Sequence, residues 1–262
     1  MLPLGLVMLL AFNVPVLLML GWGFTSPQGT FAPWVDIIQR TVYVRVLVNT
    51  FRIALIATAT CAILGYPLAY WLCCLQGRAR MLGLALVVLP FWVSILVRTY
   101  AWIVVLGNNG VVNRSLLGLG LLDEPLALLY NELGVIIGTT NVLLPFLVLP
   151  LFAAMVRIDR RLLMAAAGLG ATPATVFRRV FLPLTLPALA AGSILVFILT
   201  LGFFITPAIL GGGRVPMIAN MVDMLINRLP RWELAAALST VLLVATFLLY
   251  SLYLRIARAT QP

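Results

Sequence analysis

GVIIGTTNVLLPFLVLPLFAAMV, residues 134–156, contains no charged side chain, and RIDRR, residues 157–161, follows it directly. A helix rises 1.5 Å per residue, so about 20 apolar residues cross the ~30 Å hydrocarbon core of a bilayer. The run reads as a membrane-spanning helix with a basic flank. Working outward, comparable runs occupy residues 4–24, 46–72, 82–106, 184–210 and 234–254. The alternating ten-residue segments of a membrane β-barrel are not seen. The expected fold class is an all-α integral membrane protein with six transmembrane helices, forming one domain over residues 1–262.

Composition agrees with that reading. Of 262 residues 63% are hydrophobic and 9% charged, where soluble domains carry roughly 25% charged residues. The net charge of +10 does not indicate a nucleic-acid partner, because the basic residues are scattered between apolar runs. All 17 are Arg, and the chain has no His, which removes His-based zinc sites and catalytic triads. Cys61, Cys73 and Cys74 lack CxxC spacing and read as packing thiols, the adjacent pair near the cytoplasmic end of a helix. The first apolar run is too long for a signal peptide and has neither a basic flank nor a small-x-small cleavage site, so it is expected to be retained. Pro15 is expected to kink it.

Loop charge sets an expected direction. With the N-terminus inside, the inner segments hold Arg78, Arg80, Arg157, Arg160, Arg161, Arg178, Arg179, Arg255 and Arg258 against one acid, Asp159. The outer segments hold Arg40, Arg45, Arg114, Arg214, Arg228 and Arg231, balanced by six acids. Nine against six places both termini in the cytoplasm. Arg52 and Arg98 fall within spans or at their ends.

The inner segment 157–183 is too long for a minimal turn. Asp159 is placed to cap a short helix over residues 160–168, and Gly170 to end it with a left-handed residue. Thr172 offers a second N-cap and Pro173 suits the first helical position, with a turn over 174–180 running until Pro183 opens the fifth span. Two short helices joined at a glycine elbow are expected.

LLMAAAGLGATPATVFRRVFLPLTLP, residues 162–187, resembles the EAA loop of permease subunits in binding-protein-dependent ABC importers. Ala165 and Ala166 match the two alanines, Gly170 the glycine, Phe177 the aromatic, and Leu182 with Pro183 the terminal pair. Met164 stands where the family has an acid. The resemblance implies that this segment, Thr172 included, couples to a cytoplasmic ATPase, with Phe177 as a large apolar anchor. Arg160, Arg161, Arg178 and Arg179 either meet acidic groups of the ATPase or serve only as topology determinants. Residues 49–52, 65–70, 89–92, 98–102, 108–113, 144–151 and 205–213 extend the likeness, which is to the polyamine-type permeases. It implies a bacterial inner-membrane protein that works with a second, similar permease, two ATPases that bind ATP and Mg, and an external solute-binding protein. The implied cargo is putrescine or spermidine, with amino-acid-like or phosphonate-like solutes as the alternative. No cofactor is implied for this chain.

Candidate path or gate residues are Arg98, Tyr100, Trp102, Phe203, Phe204, Thr206 and Pro207. An Arg in hydrocarbon costs about 2.5–3.5 kcal/mol unless paired or hydrated, so Arg98 either lines a path or snorkels to the outer interface. Thr206–Pro207 should weaken the fifth span, with Gly211–Gly212–Gly213 either a flexible gate loop or a plain boundary. Phe203 and Phe204 read as packing residues whose faces could also meet an organic ammonium. The family's acid near Phe203 is absent. No Asp or Glu lies inside any expected span, which argues against a proton- or sodium-coupled carrier. Without GxxxxGK[ST] the chain does not hydrolyse ATP in the P-loop manner, and no nucleophile–base pair suggests an enzyme.

Overall fold

The computed structural model describes residues 2–26 and 29–259. Its helices are α1 (Leu2–Gly21), α2 (Ala32–Gln39), α3 (Thr41–Cys74), α4 (Gly77–Val88), α5 (Ile95–Leu106), α6 (Val111–Gly118), α7 (Glu132–Val156), α8 (Arg160–Gly168), α9 (Pro173–Val176), α10 (Leu182–Leu201), α11 (Ile205–Leu210), α12 (Ile218–Asn227) and α13 (Trp232–Ala259). No strand occurs among the described residues. Six segments are long and apolar enough to cross a membrane: Val7–Phe24, Thr41–Cys74, Ile95–Gly118, Glu132–Val156, Pro173–Leu201 and Trp232–Arg255.

Helices α3, α7 and α10 form the centre. Their contacts fix relative direction. Arg52 meets Glu132, the Cys61 thiol meets the Thr140 carbonyl, and Gly65 faces Leu147, so α3 and α7 run parallel. Phe51 lies against Phe197 while Tyr66 reaches Thr185 at 2.9 Å, so α10 runs the opposite way. One end of the bundle therefore gathers the starts of α3 and α7 with the finish of α10. The other gathers the end of α3, the end of α7 and residues 157–181.

The main apolar cluster, with Leu72, Leu143, Leu147, Leu151 and Met155, fills the half of the trio nearer the second end. A second cluster ties α2, the first turns of α3, α12 and the start of α13 together. There Arg231 bonds Asp36 at 3.0 Å, and the buried Thr50 hydroxyl accepts from the Ile218 amide at 2.9 Å. Helix α1 packs chiefly along α13 and the following turn, and most of its described side chains face outward. Pro15 lies inside α1, which continues through it.

Two expected spans need correction. The third, residues 82–106, is not one helix. Pro90 has no amide hydrogen and its ring crowds the preceding turn; α4 ends at Val88, Leu89–Trp92 tightens into a 3-10 turn, Val93 is extended, and α5 begins at Ile95. The long apolar stretch there is Ile95–Gly118, interrupted by a turn at Gly107 to Gly110. The fifth, residues 184–210, starts earlier and ends sooner, at Pro173–Leu201, and α11 is a separate short helix. Pro207 lies in the first turn of α11, where its missing amide costs little. The break falls before it, at Gly202–Phe204.

Candidate functional site

The segment after α7 folds as its capping residues dictate. The Asp159 carboxylate accepts from the Arg161 amide at 2.9 Å and starts α8. Gly170 sits at φ +85° with open space around its α-carbon, and the Gly170 amide bonds the Ala167 carbonyl at 2.9 Å, closing the helix with a left-handed residue. Thr172 then caps α9, accepting from the Thr175 amide at 3.4 Å, and Pro173 opens it.

Beyond this elbow the structure departs from expectation. The second helix is not short. It passes through a π-helical turn at Phe177–Phe181, where the Leu182 amide bonds the Phe177 carbonyl five residues back, and continues into α10. Pro183 supplies no amide, and the wider turn makes room for its ring without breaking the helix. The elbow is thus rigidly joined to a spanning helix.

Phe177, expected as the anchor for an ATPase, turns inward. Its ring stands edge-on to Tyr70 at 5.3 Å and Tyr66 at 6.4 Å, and stacks on Phe181 at 5.8 Å. Burial and ring geometry together fasten the elbow to α3. Leu182 is half-buried and Pro183 exposed. The outward surface belongs to α8 and the elbow: Met164, Ala165, Gly170 and Thr172 are exposed and Ala166 half-buried. Leu169 is 90% exposed at the tip. Sequence reasoning gave Leu169 no role; its signal was an apolar residue between two glycines at a helix end. A cleft of 410 Å³ lies between α8 and the end of α3, lined by Tyr70, Cys73, Cys74, Arg160, Ala167 and Phe177 among others. Cys61, Cys73 and Cys74 are all free thiols.

The path candidates divide. Thr99, in α5, lies 3.4 Å hydroxyl to hydroxyl from Thr206 in α11, and both are buried. Arg98 precedes Thr99 in the first turn of α5; its Nε is buried with no hydrogen-bond partner. None of the three salt bridges among the described residues includes Arg98. Gly138 of α7 admits α11 at close range: a β-carbon there would stand 2.4 Å from Leu210 and 2.6 Å from Thr206. Tyr100 is 58% exposed on the outer side of α5, and Trp102 is half-buried. Phe203 packs into the main core. Phe204 is 38% exposed, and its carbonyl accepts from the Asn220 side chain at 3.1 Å. Pro207 is buried. The glycine stretch is a packed turn more than a slack loop, because the Gly211 amide bonds the Pro207 carbonyl at 3.0 Å and Gly212 lies against the Tyr130 ring.

This overall fold is found in solved transporters. The chain aligns over all of its length, and 94% of the other chain, with a permease chain in the crystal structure of a bacterial alginate ABC transporter in complex with an alginate pentasaccharide-bound periplasmic protein, at TM-score 0.77 and 21% identity. No family model matches. The spermidine/putrescine transport system permease protein PotB of Haemophilus influenzae is 38% identical over 251 residues, covering 92% of this chain and 87% of PotB. PotB of Escherichia coli is 34% identical over 252 residues, covering 94% and 92%. The chain belongs to the PotB-like family of ABC importer permeases. It is a multi-pass protein of a bacterial inner membrane and a transport subunit, not an enzyme.

Proposed function

We propose that the chain is one permease of an ATP-driven importer for polyamines such as putrescine or spermidine, acting over residues 1–262 as a single unit. It pairs with a second, similar permease, two cytoplasmic ATPases that bind ATP and Mg, and an external solute-binding protein. The carrying observation is the elbow at residues 157–183: a capped helix with an exposed apolar tip, continuous with α10 and braced on α3 through Phe177. A push on α8 therefore moves a spanning helix.

Charge supports the orientation, since the nine inner Arg of the sequence fall just after α3, in the elbow segment and near the C-terminus. Closure of the ATPases on bound nucleotide drives the elbows, opens the outer face to cargo released by the binding protein, and hydrolysis restores the inward-facing state. Arg98, Thr99 and Thr206 at the α5/α11 joint form the gate region. Tyr100 and Phe204 present the exposed aromatic faces suited to an organic ammonium. The names of the relatives support the polyamine.

Reconstitution tests this. Putrescine uptake into proteoliposomes should require this chain, its partner permease, the ATPases and the loaded binding protein together. Uptake by this chain alone, indifferent to ATP, contradicts the proposal and makes the protein a stand-alone carrier.

A further inference from the structure

A cavity of 640 Å³ opens at the end of the bundle opposite the elbow, between the first turns of α3, the start of α7 and residues 213–216. Its charged lining is Arg45, Arg52, Arg214 and Glu132. Glu132 is engaged by Arg52, and neither Arg45 nor Arg214 takes part in a salt bridge among the described residues. Both are exposed. Val42, Val46 and Met221 make much of the floor apolar, and the Asn49 side-chain NH2 donates to the Pro216 carbonyl at 3.0 Å.

Position matters as much as charge. Glu132 is the first residue of α7, whereas α3 extends about 16 Å further, from Arg52 back to Thr41, at 1.5 Å per residue. The cleft sits where α3 outruns α7 at the end of the bundle opposite the elbow, and three positive groups against one negative repel a polyammonium cargo. Residues 213–216 also lead back through the turn on Tyr130 into α11. An occupant held by Arg214 is thereby joined to the Thr99–Thr206 contact beside the broken span.

We infer that this cleft is a docking socket for an acidic side chain, Asp or Glu, projecting from the solute-binding protein. The inference rests on the importer reading and its orientation, since the elbow end must face the cytoplasm for the socket to face outward. Complementary charge at an interface rim speeds encounter and fixes register, and here it also keeps the cation path separate from the docking point.

The test uses the whole importer in nanodiscs, with ATPase rate followed against the concentration of loaded binding protein at two salt concentrations. Arg45→Glu with Arg214→Glu should raise the half-saturating concentration about tenfold, keep most of the maximal rate and flatten the salt dependence. Reversing an Asp or Glu of the binding protein to Arg should restore affinity in that variant. An unchanged half-saturating concentration overturns the inference. So does a defect reproduced in the unmutated importer by replacing phosphatidylglycerol with phosphatidylcholine, which assigns the arginines to lipid phosphates. If the unmutated importer ignores the binding protein altogether, the importer reading falls first.

Discussion

Tyr70 and Phe177 meet edge to face with ring centroids 5.3 Å apart, joining the last turns of α3 to the π-helical turn that follows the elbow. An aromatic pair of this geometry contributes about 0.5–1.5 kcal/mol beyond its buried area, and Phe177 makes three ring contacts. In the proposed coupling this brace lets the elbow act as a lever. Phe177→Ala should leave the ATPase bound while lowering transport at least about tenfold, on the order of 1.4 kcal/mol in the coupling step. Co-purification and uptake measured on the same preparation check this; loss of the ATPase from the complex would show that Phe177 is an anchor after all.

Leu169 should behave in the opposite manner. With 90% of its surface exposed it adds little to the stability of the chain, so Leu169→Asp should insert and fold normally. Its expected defect is docking, read as ATPase lost from the detergent-solubilised complex. An intact complex with ordinary uptake would remove Leu169 from the interface.

Gly170 is exposed and has free space for a side chain, yet its φ of +85° disfavours any residue with a β-carbon. Gly170→Val should cost about 1–2 kcal/mol in the elbow and uncouple ATPase activity from transport without reducing membrane insertion. Unaltered uptake would mean the elbow's shape is dispensable.

Gly138→Leu tests the α7/α11 contact. Even a β-carbon would fall 2.4 Å from Leu210, and overpacking of this kind costs about 1–3 kcal/mol or more. A lower thermal midpoint of the purified importer is expected, together with altered transport because α11 carries Thr206. An unchanged midpoint would show that α11 yields freely.

Arg98→Ala separates path from packing. With a buried Nε lacking a partner, removal of the charge relieves a desolvation cost, so subunit yield should hold or rise while uptake changes. A reduced yield of complexes that still transport normally would assign Arg98 a structural role.

Much of this was legible in the sequence because helix caps and bilayer length are local rules. Asp159, Gly170, Thr172 and Pro173 occupy the places in the elbow that their backbone preferences dictate. The misread helix extents came from prolines. Pro90 breaks its span where the apolar run gives no warning, while Pro183 is absorbed by a π-turn whose hydrogen bond depends on the neighbouring turns. Nothing local states that Phe177 faces α3, since that depends on Tyr66 and Tyr70 arriving from more than a hundred residues earlier. The arginine cleft was equally hidden: Arg45, Arg52 and Arg214 converge only after α3 and the turn at residue 213 are assembled.

The central claim is that the elbow carries the ATPase on the cytoplasmic side. It is met most directly by a single cysteine at Leu169 in a chain whose Cys61, Cys73 and Cys74 are replaced by Ala, cross-linked within an importer that still takes up putrescine. A cross-link to the ATPase, protected from impermeant thiol reagents added to the outside of cells, is the predicted result. Reaction of that cysteine from outside, or no cross-link to the ATPase in a transporting complex, would contradict the account.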